Sequence, residues 1–461
     1  MDLNELYSEK RTGVDDDNTS ANSRTEYKRD FDRIVFSSAF RRLQNKTQVF
    51  PLPGSAFVHN RLTHSLEVSC VGRSLGTLVG QAIIKERTSE LNPESVRFYK
   101  NHFKGVLSAA CLCHDIGNPA FGHSGEDAIA NYFKKNKSLV ENLMTNEEYE
   151  DLINFEGNAN SIRVLTNNQK GKLDGGLRLT YTTLASIAKY PCESTGKHRS
   201  KSNPKTHRKK FGFFQAEKET FLDIAEFTGM LKDDDNDHIG FYRHPFVWLV
   251  EAADDICYHV IDLEDAHRVG IIGAQKCEEL LKNVIMCLDV EDIAKFEDNL
   301  KKIYNENARI TYLRAKTINS LAHKAKDAYI KNLDGILDGT HNESLYDLIG
   351  KDCNALSEIS NYSCKNIYNH RGVVEIENAG YHVMYELLNH FIGPILKNKE
   401  KRTQADKKAL KLIPGQFDTI KENSTPYERI LTVVDYLSGM TDLYATELYK
   451  KIKGIKIGMN F

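Results

Sequence analysis

The chain runs to 461 residues, with 62 Lys and Arg against 64 Asp and Glu and a formal net charge of −2. Hydrophobic residues at 40% and charged residues at 27% fall in the ordinary globular range, which excludes wholesale disorder. The even charge balance excludes a uniformly basic nucleic-acid coat and leaves room only for local basic patches.

The amino terminus, MDLNELYSEKRTGVDDDNTS, is polar and lacks the apolar core of a secretory signal. No apolar run reaches the roughly 18 residues that a membrane-spanning helix needs. Nine cysteines make an odd number, and the closest two, Cys111 and Cys113, have neither redox-pair nor zinc-knuckle spacing. Reduced, mostly buried thiols in a cytoplasmic protein are expected.

Helical periodicity dominates, so the predicted fold class is mainly α. Asp30–Leu43 spaces Phe31, Ile34, Val35, Ala39 and Leu43 at intervals of three and four, as one amphipathic helix would. His64–Ile84 reads as a long helix with Leu66, Cys70, Val71, Leu75, Leu78 and Val79 inward. Val106–Cys113 is apolar and small, a buried helix that Gly117-Asn118-Pro119 stops. Phe246–Asp265 begins just after Pro245, a residue suited to a first helical turn. The C-terminal third continues in helical runs. Alternation is confined to short pieces such as Lys210–Gln215, so small β excursions are the most that is expected.

Three segments break the composition. Cys192–Lys210 carries seven Lys and Arg against one Glu and predicts a mobile, solvated loop. Lys232–Asp237 (KDDDND) predicts a small acidic turn, and Asn398–Lys411 a basic, apolar-poor connector.

The chemistry concentrates in four residues: His64 in HNRLTHSLEV, the pair His114-Asp115 in CLCHDIGNPAFGHSGE, and Asp254 in EAADDICYHVIDLEDA. Two imidazoles and two carboxylates suit a divalent transition metal, or Mg²⁺ with water completing the shell. Adjacent ligands reach one ion only where a helix ends, and Gly117-Asn118-Pro119 supplies that end. His123 and Glu126 lie three apart, so a hydrogen bond between them would fix the ring tautomer for proton transfer. Asp254, Tyr258 and Asp262 recur every four residues and share one helix face. Acidic side chains on a phosphate site require cations nearby, for which Arg61, Lys189 and Lys210 are the candidates.

FRRLQNKTQVF, HNRLTHSLEV, CLCHDIGNPAFGHSGE, LASIAKYP, KKFGFF, EAADDICYHVIDLEDA and DYLSGMTD together resemble the HD-domain deoxyguanosine triphosphate triphosphohydrolases. The matching blocks stretch from about residue 24 to 445 in family order. The resemblance implies an HD-domain helical bundle with further C-terminal helices, and a polar segment 1–25 ahead of it. The catalytic core would span 26–275, including the basic loop 192–210, and 276–461 would complete the core and the oligomer contacts.

By the same resemblance, His64, His114, Asp115 and Asp254 hold a divalent metal (Mg²⁺ or Mn²⁺), and His123 with Glu126 forms the catalytic pair. Arg61 would touch the α-phosphate end, while Lys189, Tyr190 and Lys210 would hold the triphosphate. Gln48, Tyr258 and Asp262 would grip the deoxyribose, with Asp262 on the 3′-hydroxyl, and Arg371 would serve the base. The implied reaction is hydrolysis of dGTP, with other dNTPs as further substrates, to deoxynucleoside and inorganic tripolyphosphate. A homo-oligomer, hexameric or tetrameric, is implied too, with single-stranded DNA as a candidate partner.

Bland readings compete with these. Any one of the 16 histidines is more often a core or surface residue than a ligand. Lys189, Lys210 and Gln48 could be ordinary polar residues. Asp255 is expected to support Asp254 or face solvent, and His59, His259 and His267 carry no mark beyond proximity. Two further functions stay open: another HD-type phosphohydrolase such as a nucleotidase or phosphodiesterase, and a non-catalytic nucleic-acid-binding helical assembly.

Overall fold

Asn60 starts the helix on which the centre of the molecule depends. Its side chain accepts from Leu62 N and Thr63 N at 3.1 Å each, and Thr63 Oγ1 accepts from Asn60 N at 3.0 Å. This reciprocal cap fixes the first turn of Arg61–Glu86 (α2), with Arg61 at its start and His64 one turn on. The computed structural model describes every residue except 15–24, 51–57, 169–172, 198–204, 234–237, 289–292, 418 and 457–461. The middle of the basic loop and the last four residues of the acidic turn therefore lie outside the described residues.

Ahead of α2 stands Glu26–Val35 (α1), followed by a separate short helix, Ser38–Arg42. The single helix expected over Asp30–Leu43 is broken because Ser37 turns out of it and caps the second piece, accepting from Phe40 N at 3.1 Å. Phe36 is left exposed at the break. Ile34, Ala39 and Leu43 are buried all the same.

Phe103–Cys113 (α3) lies against α2 and is buried almost throughout, as its small apolar residues require. The close approach depends on glycines every four residues along α2. A Cβ at Gly72 would fall 2.4 Å from Cys111 Sγ, and one at Gly76 would fall 2.7 Å from Lys104 Cα. The inward stripe is therefore Val68, Gly72, Leu75 and Val79, while Leu66 and Cys70, expected inside, are exposed on the far side.

Next along the chain come Gly122–Lys135 (α4), Gly157–Thr166 (α5), Tyr181–Ile187 (α6) and Val247–Arg268 (α7). Behind them stand the long Glu306–Lys331 (α8), then Arg371–Leu396 (α9), Gln404–Leu410 (α10) and Pro426–Ser438 (α11). The fold is mainly helical, and among the described residues β structure amounts to four isolated bridges. No described helix is long and apolar enough to cross a membrane.

Two hydrophobic cores result. The first gathers α1, α2, α3 and α7 with α8; the second joins Ile129 and Phe133 of α4 to Leu387 and Phe391 of α9 and Val434 of α11. Residues 1–14 reach the first core through Leu3 and Leu6, and Arg11 Nη1 donates to the buried Asp30 at 2.6 Å. Lys210–Gln215 forms no strand because its aromatics serve both cores: Phe213 enters the first, Phe211 and Phe214 the second.

Two expectations are corrected outside the centre. The ends of the basic loop are packed in place, since Arg208 is fully buried and its Nε donates to Asp233 Oδ2 at 2.6 Å. His207 and Lys205 reach the same carboxylate at 2.7 and 3.0 Å, so the acidic turn supplies the counter-ion that sequence composition placed in solvent. Cys287 and Cys353 form a disulfide pair with Cα atoms 5.7 Å apart, against the expectation of thiols alone; the other seven cysteines are free.

Candidate active site

α3 ends at Cys113, and the chain turns through His114 and Asp115 into the Gly117-Asn118-Pro119 corner. The turn needs Gly117, because a Cβ there would fall 2.1 Å from Ser161 N at the packed surface of α5. Freed from the helix, His114 and Asp115 both face the end of α2 and the middle of α7. His64 Nε2 lies 3.0 Å from Asp254 Oδ1, and His114 Nε2 lies 3.4 Å from the same oxygen and 3.7 Å from Asp115 Oδ2. Donor atoms of His64, His114 and Asp254 all fall within 4.8 Å of one another. Asp115 stands at the edge of this group, bonded by Arg61 and, at 2.7 Å, by Asn118 Nδ2.

His114 fits a cation by its own hydrogen bonding. Its Nδ1 donates to Cys111 O at 2.7 Å, which puts the lone pair on Nε2, and that buried nitrogen has no hydrogen-bond partner. Burial opposes charge on this ring, yet Asp115 and Asp254 outweigh it and hold it up at about 9. Burial likewise opposes the Asp254 carboxylate, and the two imidazoles outweigh it and hold it well below the usual range. The same two carboxylates that draw a proton onto His114 Nε2 suit a divalent cation in its place, with the neutral ring then offering its lone pair. Asp255 stays outside the group; burial and the neighbouring Glu251 push its carboxyl well up.

A cavity of about 580 Å³ opens beside these donors. His123 stands at the first turn of α4 with its side chain 86% exposed, open to whatever enters. Its Nδ1 pairs with Glu126 Oε2 at 3.0 Å, while Glu126 Oε1 accepts from Gly157 N at 2.9 Å. The bond to Glu126 raises the affinity of the His123 ring for a proton. The backbone before it is left-handed at Phe121 and Gly122, with φ of 61° and 54°. The C-terminal helices hold this bend. Asp442 accepts from Phe121 N at 2.9 Å and Thr47 N at 2.8 Å, and α9 closes over Phe121 at Gly380, where a Cβ would fall 2.3 Å from the ring.

The opposite wall carries the expected cations. Lys189 Nζ pairs with Glu251 Oε1 at 3.1 Å, and Glu251 also binds Arg243 at 2.7 Å. Lys210 Nζ lies 2.8 Å from Glu156 Oε1 and 2.7 Å from Oε2. Tyr190 lines the cavity beside them, and Gln48 lines it with Oε1 buried and unpartnered. Tyr258 lines it too, its ring stacked on Tyr368 at 5.4 Å between centroids. Asp262 sits buried behind the two rings and accepts from Tyr368 OH at 2.9 Å.

Arg371 is not brought to this cavity. It opens α9 with its side chain 90% exposed and turns along the helix to Glu375, at 2.7 Å. Sequence reasoning missed Tyr368, Glu377, Glu156 and Glu251. Glu251 had a signal, since it stands one turn before Asp254 and Asp255 on the same helix. The other three are set by tertiary placement alone. His59, left unmarked, is structural, bridging Asp265 at 2.8 Å and Glu67 at 3.3 Å.

Residues 61–188 match the HD domain, and residues 353–451 match the phosphohydrolase-associated domain. A deoxyguanosinetriphosphate triphosphohydrolase-like protein of Synechocystis is 39% identical over 99% of this chain and all of its own length. One from Pseudomonas aeruginosa is 35% identical over 98% of this chain and 99% of its own. A deoxyguanosinetriphosphate triphosphohydrolase of Yersinia enterocolitica is 29% identical, over 92% and 93%.

Proposed function

Since this chain belongs to the family of deoxyguanosinetriphosphate triphosphohydrolase-like HD phosphohydrolases, we propose that it hydrolyses dGTP to deoxyguanosine and inorganic tripolyphosphate. Other dNTPs are the next substrates to test. The observation that carries this reading is a single cavity lined by His114, Asp254, His123, Lys189 and Lys210 together. His64, His114, Asp115 and Asp254 would hold the cation, Mg²⁺ or Mn²⁺. Bound there, it would polarise the α-phosphate and lower the pKa of a water.

Arg61, beside Asp115, would meet the α-phosphate end. Lys189, Tyr190 and Lys210 would take the β- and γ-phosphates, exchanging the carboxylates of Glu251 and Glu156 for phosphate oxygens. Water attacks phosphorus and the bond to the 5′-oxygen breaks, so one proton must leave the water and one must reach the leaving oxygen. His123, oriented by Glu126, moves that proton. Gln48 with its free Oε1 and Tyr258 would hold the deoxyribose, Asp262 would act from behind by fixing Tyr368, and the stacked Tyr258 and Tyr368 would leave no room for a 2′-hydroxyl.

Chromatography of products from the four dNTPs and GTP, with Mg²⁺ or Mn²⁺, tests the reading. Tripolyphosphate and deoxyguanosine from dGTP, lost in His123→Ala, is the expected result. Release of orthophosphate or pyrophosphate, or near-full activity in His123→Ala, overturns it.

A further inference from the structure

A second cleft, of about 810 Å³, lies in the C-terminal region between α10, the end of α9 and the first half of α11. Among the described residues, seven Lys and Arg side chains line it against a single carboxylate, Glu422. Asp406, in the first turn of α10, is already taken by Lys397 at 2.9 Å and by the Thr403 cap. Arg402 is held by Lys397 O at 3.1 Å and Ile395 O at 3.3 Å, which fixes its guanidinium at the cleft wall. Arg429 comes up beside it from α11, close enough for the two like charges to repel, and its Nε is buried without a partner. Lys407 of α10 and Lys411 at its C-terminal cap, four residues on, line the same cleft. Among the described residues, Lys407, Lys408, Lys411 and Arg429 make no ion pair.

A merely solvated basic run would spread its cations. Here two guanidiniums and several lysines converge on one concavity with a single carboxylate among its described lining, at the size of an ordinary ligand pocket of roughly 300–1,000 Å³. The apolar lining is Ile395, Leu410, Ile413 and Ile420, with no aromatic ring on which a base could stack. Recognition there would rest on phosphate charge rather than on bases. We propose that this cleft is an anion site separate from the catalytic cavity, built for a linear oligophosphate. Inorganic tripolyphosphate and the tail of a nucleoside triphosphate share that chemistry. The site stands independently of the reaction proposed above, because its test reads binding rather than turnover.

Calorimetric titration of the full chain with sodium tripolyphosphate, in excess divalent cation, is compared with Lys407→Glu/Lys408→Glu/Lys411→Glu. These lysines are exposed, so the substitutions spare the cores. The triple variant should lose one tripolyphosphate per chain, or bind it about tenfold or more weakly, while dGTP turnover is unchanged. The same titration with a non-hydrolysable dNTP analogue separates the two sources: loss of both ligands assigns a nucleotide tail, loss of tripolyphosphate alone an inorganic chain. Lys411→Gln by itself should weaken binding and flatten its salt dependence, a check free of charge reversal. Unchanged stoichiometry and affinity in both variants overturns the proposal. So does a thymidine oligonucleotide that binds the cleft more tightly than tripolyphosphate.

Discussion

The two ends of the catalytic cavity differ in how their charges are balanced. At the end formed by α2, α3 and α7, carboxylates and imidazoles crowd together and His114 Nε2 is left without a partner. At the other end two cations already have their carboxylates, Lys189 with Glu251 and Lys210 with Glu156, while Lys209 lines the cavity without an ion pair among the described residues. One end is incomplete without a positive ion, while the other keeps two of its lysines paired until an anion competes for them. The difference teaches that an anion entering at this end would not be met by bare positive charge. It would have to outbid resident carboxylates, which would favour a ligand carrying several phosphates over one carrying a single phosphate.

The largest effect expected from this contrast comes from joining the ends wrongly. Asp442→Asn removes the carboxylate that accepts from both Phe121 N and Thr47 N, loosening the loops that carry His123 and Gln48. Initial rates should fall about 100-fold, mostly in kcat. Wild-type kcat in this variant would show that the loops hold themselves.

The rim contributes less, and with opposite sign. Glu156→Gln leaves Lys210 without its counter-charge, so the KM for dGTP should fall several-fold and become more salt-dependent. A raised KM would mean that Glu156 positions Lys210 instead of restraining it. Glu126→Gln acts on protons. Its hydrogen bond raises His123 above the usual imidazole range, so the variant should move the His123 limb of the pH–rate profile to lower pH. A profile that stays in place would remove Glu126 from that role. Tyr368→Phe, the smallest change, deletes the bond to Asp262; discrimination between dGTP and GTP should narrow several-fold, read as a ratio of kcat/KM.

Much of the metal end was legible in the sequence because its residues are chemically uncommon and sit where a helix must stop. A small apolar helix, a His-Asp pair and a Gly-Asn-Pro corner leave few ways to arrange the chain. The three-residue spacing of His123 and Glu126 likewise survives folding, since one turn of α4 brings them to 3.0 Å. The rim was less legible. Tyr368 stacks on Tyr258 from 110 positions further along the chain, a pairing that no local pattern carries. Arg371 was expected at the base, but its position at the start of α9 turns it toward Glu375.

Charge runs misled for a related reason. Cys192–Lys210 and Asn398–Lys411 look alike as sequence, yet Asp233 neutralises the end of the first, while the second lines a cleft with one carboxylate. Only the fold decides which basic run finds its acid. Asp233→Asn would strand the buried Arg208 and should cost about 3–5 kcal/mol in denaturant unfolding.

The central claim is that His64, His114 and Asp254, with Asp115 at their edge, grip one divalent cation. Metal content measured on purified protein after equilibration with Mn²⁺ and desalting tests it most directly. The account predicts one ion per chain in the wild type and none in a folded His114→Ala variant. A folded His114→Ala chain that still carries a full complement of metal would contradict it.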